Sequence, residues 1–238
     1  MMLFVRRVSR MIVFAAALMG PGHLAAQRSA MDSTVEACVA ADTATRWKQV
    51  QMAWSAGQGE RGTNDSLRAR LLALAQRDQA MRTAPSMADS LANPDFGRRL
   101  MARDSADAAE LMEIVARHGW PTRREVGAEA ASAAWMVAQH NEHVRHEALR
   151  LMQALPPGEV SPADLAMLDD RVRTGDGLPQ RFGTQLKPGD DGRTMRFDPI
   201  DDLHGLEERR AGAGLPPLAV YICMMRAMYG REIVPPAP

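Results

Sequence analysis

The chain has 238 residues, 29 lysines and arginines against 29 aspartates and glutamates, and two cysteines. Zero formal net charge with no basic cluster excludes the electrostatic footprint of a nucleic-acid binder. Cys38 and Cys223 each lack a neighbouring cysteine, which disfavours a zinc or redox site.

Residues 1–26 divide into three zones. Arg6, Arg7 and Arg10 give a positive start, Met11 to Met19 is an apolar run, and Leu24-Ala25-Ala26 ends in small residues before Gln27. That order is that of a secretory signal peptide. The run is about half the roughly 20 apolar residues that a membrane span requires. Removing the segment takes away three arginines and leaves 26 basic against 29 acidic residues. We therefore expect an exported chain, periplasmic or extracellular, with no membrane contact after cleavage. An oxidising compartment permits a disulfide, so Cys38 and Cys223 are expected to pair, although nothing local brings them together.

Residues 27–62 read as an N-terminal helical extension and linker. Trp47, Val50 and Trp54 share one helical face, and Gly57, Gly59 and Gly62 break the pattern. Residues 63–232 read as one helical domain, followed by a proline-rich tail, 233–238. A helix begins at Asn64 and runs through Leu67, Leu71, Leu72 and Leu74 to about Arg82. Asn93-Pro94 reads as a cap and first-turn proline for the next, which ends at His118-Gly119 with a break near Asp104. Thr122-Arg123-Arg124-Glu125 is a capping box opening an alanine-rich run from Ala128 to Ala138, the expected central helix. It leads into Gln139-His140. Further helices cover about His143 to Leu155 and a segment opened by Ser161-Pro162. Arg181 to Leu186 and Thr194 to Phe197 flank a turn, Pro188-Gly189-Asp190-Asp191-Gly192, and read as a β-hairpin. Two last helices span about Leu203 to Ala211 and Pro217 to Gly230. The fold expected is mainly α, with about seven helices around the alanine-rich one and one small β-hairpin.

Several short motifs together resemble a bacterial domain family of unknown function. They are Asp78-Gln79 with Arg82, Gly119-Trp120-Pro121-Thr122, Gln139-His140, Asp170-Arg171, Gln180 with Phe182-Gly183-Thr184-Gln185, Arg209-Arg210 and Gly214-Leu215-Pro216-Pro217. The resemblance covers about residues 65 to 225. It implies no activity, and the family usually carries tyrosine where Phe182 stands.

His140, His143 and His146 form H-x-x-H-x-x-H, which on a helix spreads over about 120 degrees and does not converge on one metal. No metal site and no cofactor are expected. His140 alone is the first candidate for a catalytic acid or base, because histidine exchanges protons near neutral pH. A hydrogen-bonded structural histidine is the plainer alternative. Gln139, His140, Gln180, Thr184 and Gln185 are the candidate ligand-binding residues, since carboxamides both donate and accept hydrogen bonds. Strand alternation over 181–186 would put Gly183 and Gln185 on one face. Asp170-Arg171 and Arg209-Arg210 read either as structural ion pairs, the preferred view, or as a source of one arginine gripping a carboxylate.

These residues lead to an exported binding domain for a small polar or peptide-like ligand. One alternative is a hydrolase using His140 as general acid or base. The other is a structural envelope protein that makes protein contacts through its front extension.

Overall fold

The computed structural model describes residues 33–56, 60–82 and 94–236. The expected signal peptide, the Asn93 cap and two glycines of the linker, Gly57 and Gly59, lie outside these. Among the described residues there are nine helices and three short strands. Helix α1 covers 33–40, α2 Arg46–Ser55, α3 Asp65–Ala80, α4 Pro94–His118, α5 Arg123–Ala138, α6 Glu142–Gln153 and α7 Pro162–Gly175. Strands β1 (Leu186–Pro188) and β2 (Thr194–Phe197) follow, then α8 (Leu206–Gly212), α9 (Leu218–Tyr229) and β3 (Glu232–Val234). Helices α3 to α9 are the seven expected of the domain, and α1 and α2 precede it.

Helix starts follow the local chemistry. The side chain of Asn64 accepts the Leu67 N–H at 3.1 Å, Thr122 Oγ1 that of Glu125 at 3.2 Å, and Ser161 Oγ that of Asp164 at 3.2 Å. Each satisfies a backbone donor that the first turn leaves without a partner. The break expected near Asp104 is absent, and α4 runs unbroken for 25 residues.

Helix α5 is buried on nearly every side, including Ala128, Ala130, Ala131, Ala134, Trp135 and Ala138. Its small side chains let α3, α4, α6 and α7 approach closely around it, and these form the main core. The sequence hides a kink in its first turn at Gly127 (φ 78, ψ 159). There the chain leading into α3 crosses the start of α5: the Thr63 and Asn64 N–H groups both donate to Glu125 O. A Cβ at Gly127 would lie 2.0 Å from Glu60 O, and one at Gly62 would lie 2.3 Å from Glu125 O. Only glycine permits that approach.

A second apolar cluster joins Val35, Cys38 and Val39 of α1 and Trp47 of α2 to Met195, Phe197, Ile233 and the buried face of α9. Cys38 and Cys223 are disulfide-bonded with Cα atoms 5.9 Å apart, fastening α1 to α9 as expected.

The single hairpin becomes a three-stranded sheet of order β1-β2-β3. β1 pairs antiparallel with β2 (Lys187 opposite Arg196), and β3 pairs parallel with β2 (Met195 opposite Ile233). Residues 181–185, expected in the first strand, form a loop, because side chains take up their N–H groups in place of a ladder. Asp170 Oδ1 accepts from Arg181 N at 2.6 Å and Phe182 N at 2.9 Å, and its Oδ2 from Thr184 N at 3.0 Å and Thr184 Oγ1 at 2.8 Å. Strand alternation therefore does not decide where Gly183 and Gln185 point. Among the described residues no helix is long and apolar enough to cross a membrane.

Candidate functional site: a cavity between the two cores

A cavity with about 160 Å³ of room for water centres lies where the main core meets the second cluster. One water needs about 10–15 Å³ by this measure, so several molecules or a small ligand fit. Its apolar lining includes Met224, Met225 and Met228 of α9 and Trp135 and Met136 of α5. Its polar lining draws on Gln51 of α2, Gln79 of α3, Gln139 and His140 just beyond α5, Arg171 of α7, and Thr184 and Gln185 of the loop before β1. Tyr221 and Tyr229 of α9 complete it.

Four of the five residues singled out from the sequence, Gln139, His140, Thr184 and Gln185, therefore line one cavity. Gln180 stands behind the wall. It is 0% exposed; its Oε1 accepts the Thr184 and Gln185 N–H groups at 2.7 and 2.8 Å, and its Nε2 donates to Gln185 O and Asp198 O at 3.0 and 2.8 Å. Gln180 shapes the loop that presents Thr184 and Gln185. Tyr221 adds a hydrogen bond from its hydroxyl to Thr184 O at 2.8 Å.

His140 sits with its side chain 7% exposed, and its Nδ1 lies 2.9 Å from Oδ1 of Asp78. Burial lowers the pKa of this imidazole; Asp78 opposes the shift, while Arg82 and Arg171 add to it. Asp78 is itself 0% exposed and accepts from Arg82 Nη1 at 3.0 Å and Gln79 Nε2 at 2.8 Å. Arg82 completes the chain by donating from Nη2 to Asp104 at 2.6 Å. The other two histidines of the H-x-x-H-x-x-H run diverge: His146 pairs with Asp176 at 2.9 Å and His143 is exposed. Among the described residues no three His, Cys, Asp or Glu side chains gather as a metal site.

The sequence carried a signal for Asp78 that composition alone does not weigh. Leu67, Leu71, Leu74 and Asp78 form one buried stripe of α3, so a carboxylate continues a leucine face. Ala163, Met167 and Arg171 similarly share one face of α7, which puts an arginine in line with the cavity wall. The preferred ion-pair reading of the two arginine motifs needs correction. Adjacent helix residues point about 100 degrees apart. Asp170 is thus spent on the 181–184 backbone while Arg171 turns to the cavity. Arg209 does pair, with Asp202 at 2.8 Å. Arg210, 0% exposed, donates to the carbonyls of Pro216 and Gly183 at 2.8 and 3.0 Å. Its guanidinium lies 4.9 Å from the centre of the Tyr221 ring, and burial pushes its pKa down to about 10.

Arg171 differs from these. Among the described residues its one hydrogen bond runs from Nη1 to Gln139 O at 3.4 Å, and none of their carboxylates pairs with it. Burial first, and then the like charge of Arg145, hold its pKa below the ordinary arginine value.

A partly open cavity beside a buried histidine–aspartate pair, in a mainly helical domain, is what the fold and geometry define. The chain belongs to a family of unknown function, DUF6624, whose sequence model matches residues 65–234. Comparison with curated proteins and with solved structures gives no match.

Proposed function

We propose that this protein is an exported binding domain whose cavity takes a small polar or peptide-like ligand. One observation carries the reading: Gln139, His140, Thr184 and Gln185, contributed by two separate parts of the chain, line a single cavity together with apolar residues such as Met224, Met225 and Met228. Few, convergent polar groups in an apolar pocket are the usual make-up of a ligand site. Support for export comes from the order of charge, apolar run and small residues in 1–26 and from the Cys38–Cys223 disulfide, a bond that persists in oxidising compartments. Residues 33–56, which a structural envelope role would use for outside contacts, contribute Val39, Trp47 and Gln51 to the cavity wall.

A thermal-shift screen of small polar and peptide-like compounds, with and without divalent metals, tests the binding reading. The expected result is a stabilising hit that is lost in His140→Ala or Gln185→Ala protein that still folds. Hits that persist unchanged in both variants would refute it.

The Nδ1 contact to Asp78 favours one second reading, a hydrolase with His140 as general acid or base. A carboxylate behind the imidazole holds its tautomer and orientation, the arrangement proton transfer requires. Turnover of an ester or amide panel, abolished in His140→Gln, separates this reading from simple binding.

A further inference from the structure

We propose that the cavity ligand carries a carboxylate gripped by Arg171, with its apolar remainder against the methionines of α9; this deepens the binding reading above and rests on it. Among the described cavity-lining residues, Arg171 is the one permanently charged side chain and none is an aspartate or glutamate. A guanidinium has five N–H donors in a rigid fork. This one uses a single donor, in a 3.4 Å contact to Gln139 O. The other buried arginines are engaged further: Arg82 holds Asp78 and Asp104, and Arg210 donates to three backbone carbonyls from Nε and Nη1, with only its Nη2 unpartnered among the described residues.

A desolvated cation with no counter-charge is a state folding does not favour. Orphaned charge of this kind concentrates where a ligand completes it. A second unused group shares the cavity: the Tyr229 hydroxyl makes no hydrogen bond to any described residue. A carboxylate accepts two parallel bonds from a guanidinium fork, and its free lone pairs can take a hydroxyl. One uncompensated positive charge matches a monoanion. A phosphate dianion would leave a second charge beside Met224, Met225 and Met228, because Arg82 is already neutralised by its two aspartates.

Calorimetric titration of the purified protein with 4-phenylbutyrate and with N-acetyl-leucine, each against its own primary amide, tests the assignment; inorganic phosphate is the control. Each acid should bind at least about ten-fold more tightly than its amide, the lower end of what a charge-assisted hydrogen bond contributes. Phosphate should be weakest. Tighter binding of N-acetyl-leucine would assign a peptide C-terminus, and of 4-phenylbutyrate a free acid. In Arg171→Gln the acid preference should disappear, while Arg171→Lys, which keeps the charge without the fork, should restore part of it. Equal binding of acid and amide, or a preference retained in Arg171→Gln, overturns the carboxylate and leaves the cavity a ligand site. A silent acid series beside a neutral hit in the screen above does the same; silence in both overturns the ligand-site reading with it. Should Arg171→Gln fail to fold, the acid–amide comparison on unaltered protein decides alone.

Discussion

Nδ1 of His140 meets Oδ1 of Asp78 at 2.9 Å, joining the chain just past the end of α5 to the last turn of α3. Asp78 already accepts from Arg82 and Gln79, so the imidazole must be the donor and its proton sits on Nδ1. The ring at the cavity wall is thereby held in one tautomer and one orientation. The same carboxylate secures a buried arginine, so structure and site are tied to one residue.

Asp78→Asn should be far more damaging than any change to His140. It replaces an acceptor shared by three donors with a group that turns N–H bonds toward other N–H bonds, and it leaves buried Arg82 with Asp104 as its one carboxylate partner beside the backbone carbonyl of residue 78. Breaking a buried ion pair costs about 3–5 kcal/mol, and the remaining aspartate places this case at about 3. Urea denaturation of the two variants measures it; His140→Gln should lose about 1 kcal/mol. Equal losses would contradict the assignment of Asp78 as the anchor.

Acid should weaken the fold through His140. Its folded pKa is depressed, chiefly by burial, so the unfolded chain takes up the proton first as pH falls. The stability this neutral imidazole contributes is therefore complete above the unfolded value of about 6.5 and is lost progressively as pH drops below it toward the folded pKa. Denaturation midpoints between about pH 7.5 and 5 should fall in the natural protein and fall less steeply in His140→Gln. Parallel slopes in the two proteins would exclude His140 as the source.

Gln180 and Gln185 should separate scaffold from site. Gln180→Leu strips four hydrogen bonds from Thr184 N, Gln185 N, Gln185 O and Asp198 O. Thr184 N keeps Asp170 and Gln185 O keeps the Asp198 N–H, while Gln185 N and Asp198 O lose their Gln180 partner at about 1–3 kcal/mol each, so the loss should be several kcal/mol or outright misfolding. Gln185→Leu removes one contact from its side chain, to Thr184 Oγ1, and should stay within about 1 kcal/mol while changing ligand binding. Circular-dichroism melts of both variants decide between these outcomes.

The helices were legible because their signals are local. Asn64, Thr122 and Ser161 cap within three residues, and the small side chains of Ala128 to Ala138 announce a helix crowded on all sides. His140 could be placed at the site for the same reason, as the polar end of that buried run. Gln180 could not be told from Gln185, since composition does not say whether a carboxamide addresses a ligand or its own backbone. Strand β3 gave no signal, because it is three residues long and pairs in parallel with a strand far back in the chain, with no turn to mark it. Arg171 was masked by its neighbour: Asp170 beside it suggests a pair, yet consecutive helical side chains diverge.

The Cys38–Cys223 disulfide should matter to the cavity as much as to stability. It closes a loop 185 residues apart in sequence, for which the chain-entropy estimate is about 5 kcal/mol, an upper figure because measured bridges commonly contribute about 2–4. Its two ends also adjoin the site: Val39 follows Cys38, Met224 follows Cys223, and both line the cavity. Cutting the bond releases α1 from α9, whose remaining connection is the shared cluster of Val35, Trp47, Ile222 and Met225. Cys38→Ser with Cys223→Ser should therefore lower stability by about 2–4 kcal/mol and weaken ligand binding together. The main core around α5 does not depend on that cluster and should keep its helical spectrum. Chemical denaturation with and without reductant gives the first effect, and titration of the reduced protein gives the second. Unchanged affinity after reduction would show that α1 covers the cavity without shaping it. Two free thiols in denatured protein taken from its native compartment would remove the bond from the argument altogether.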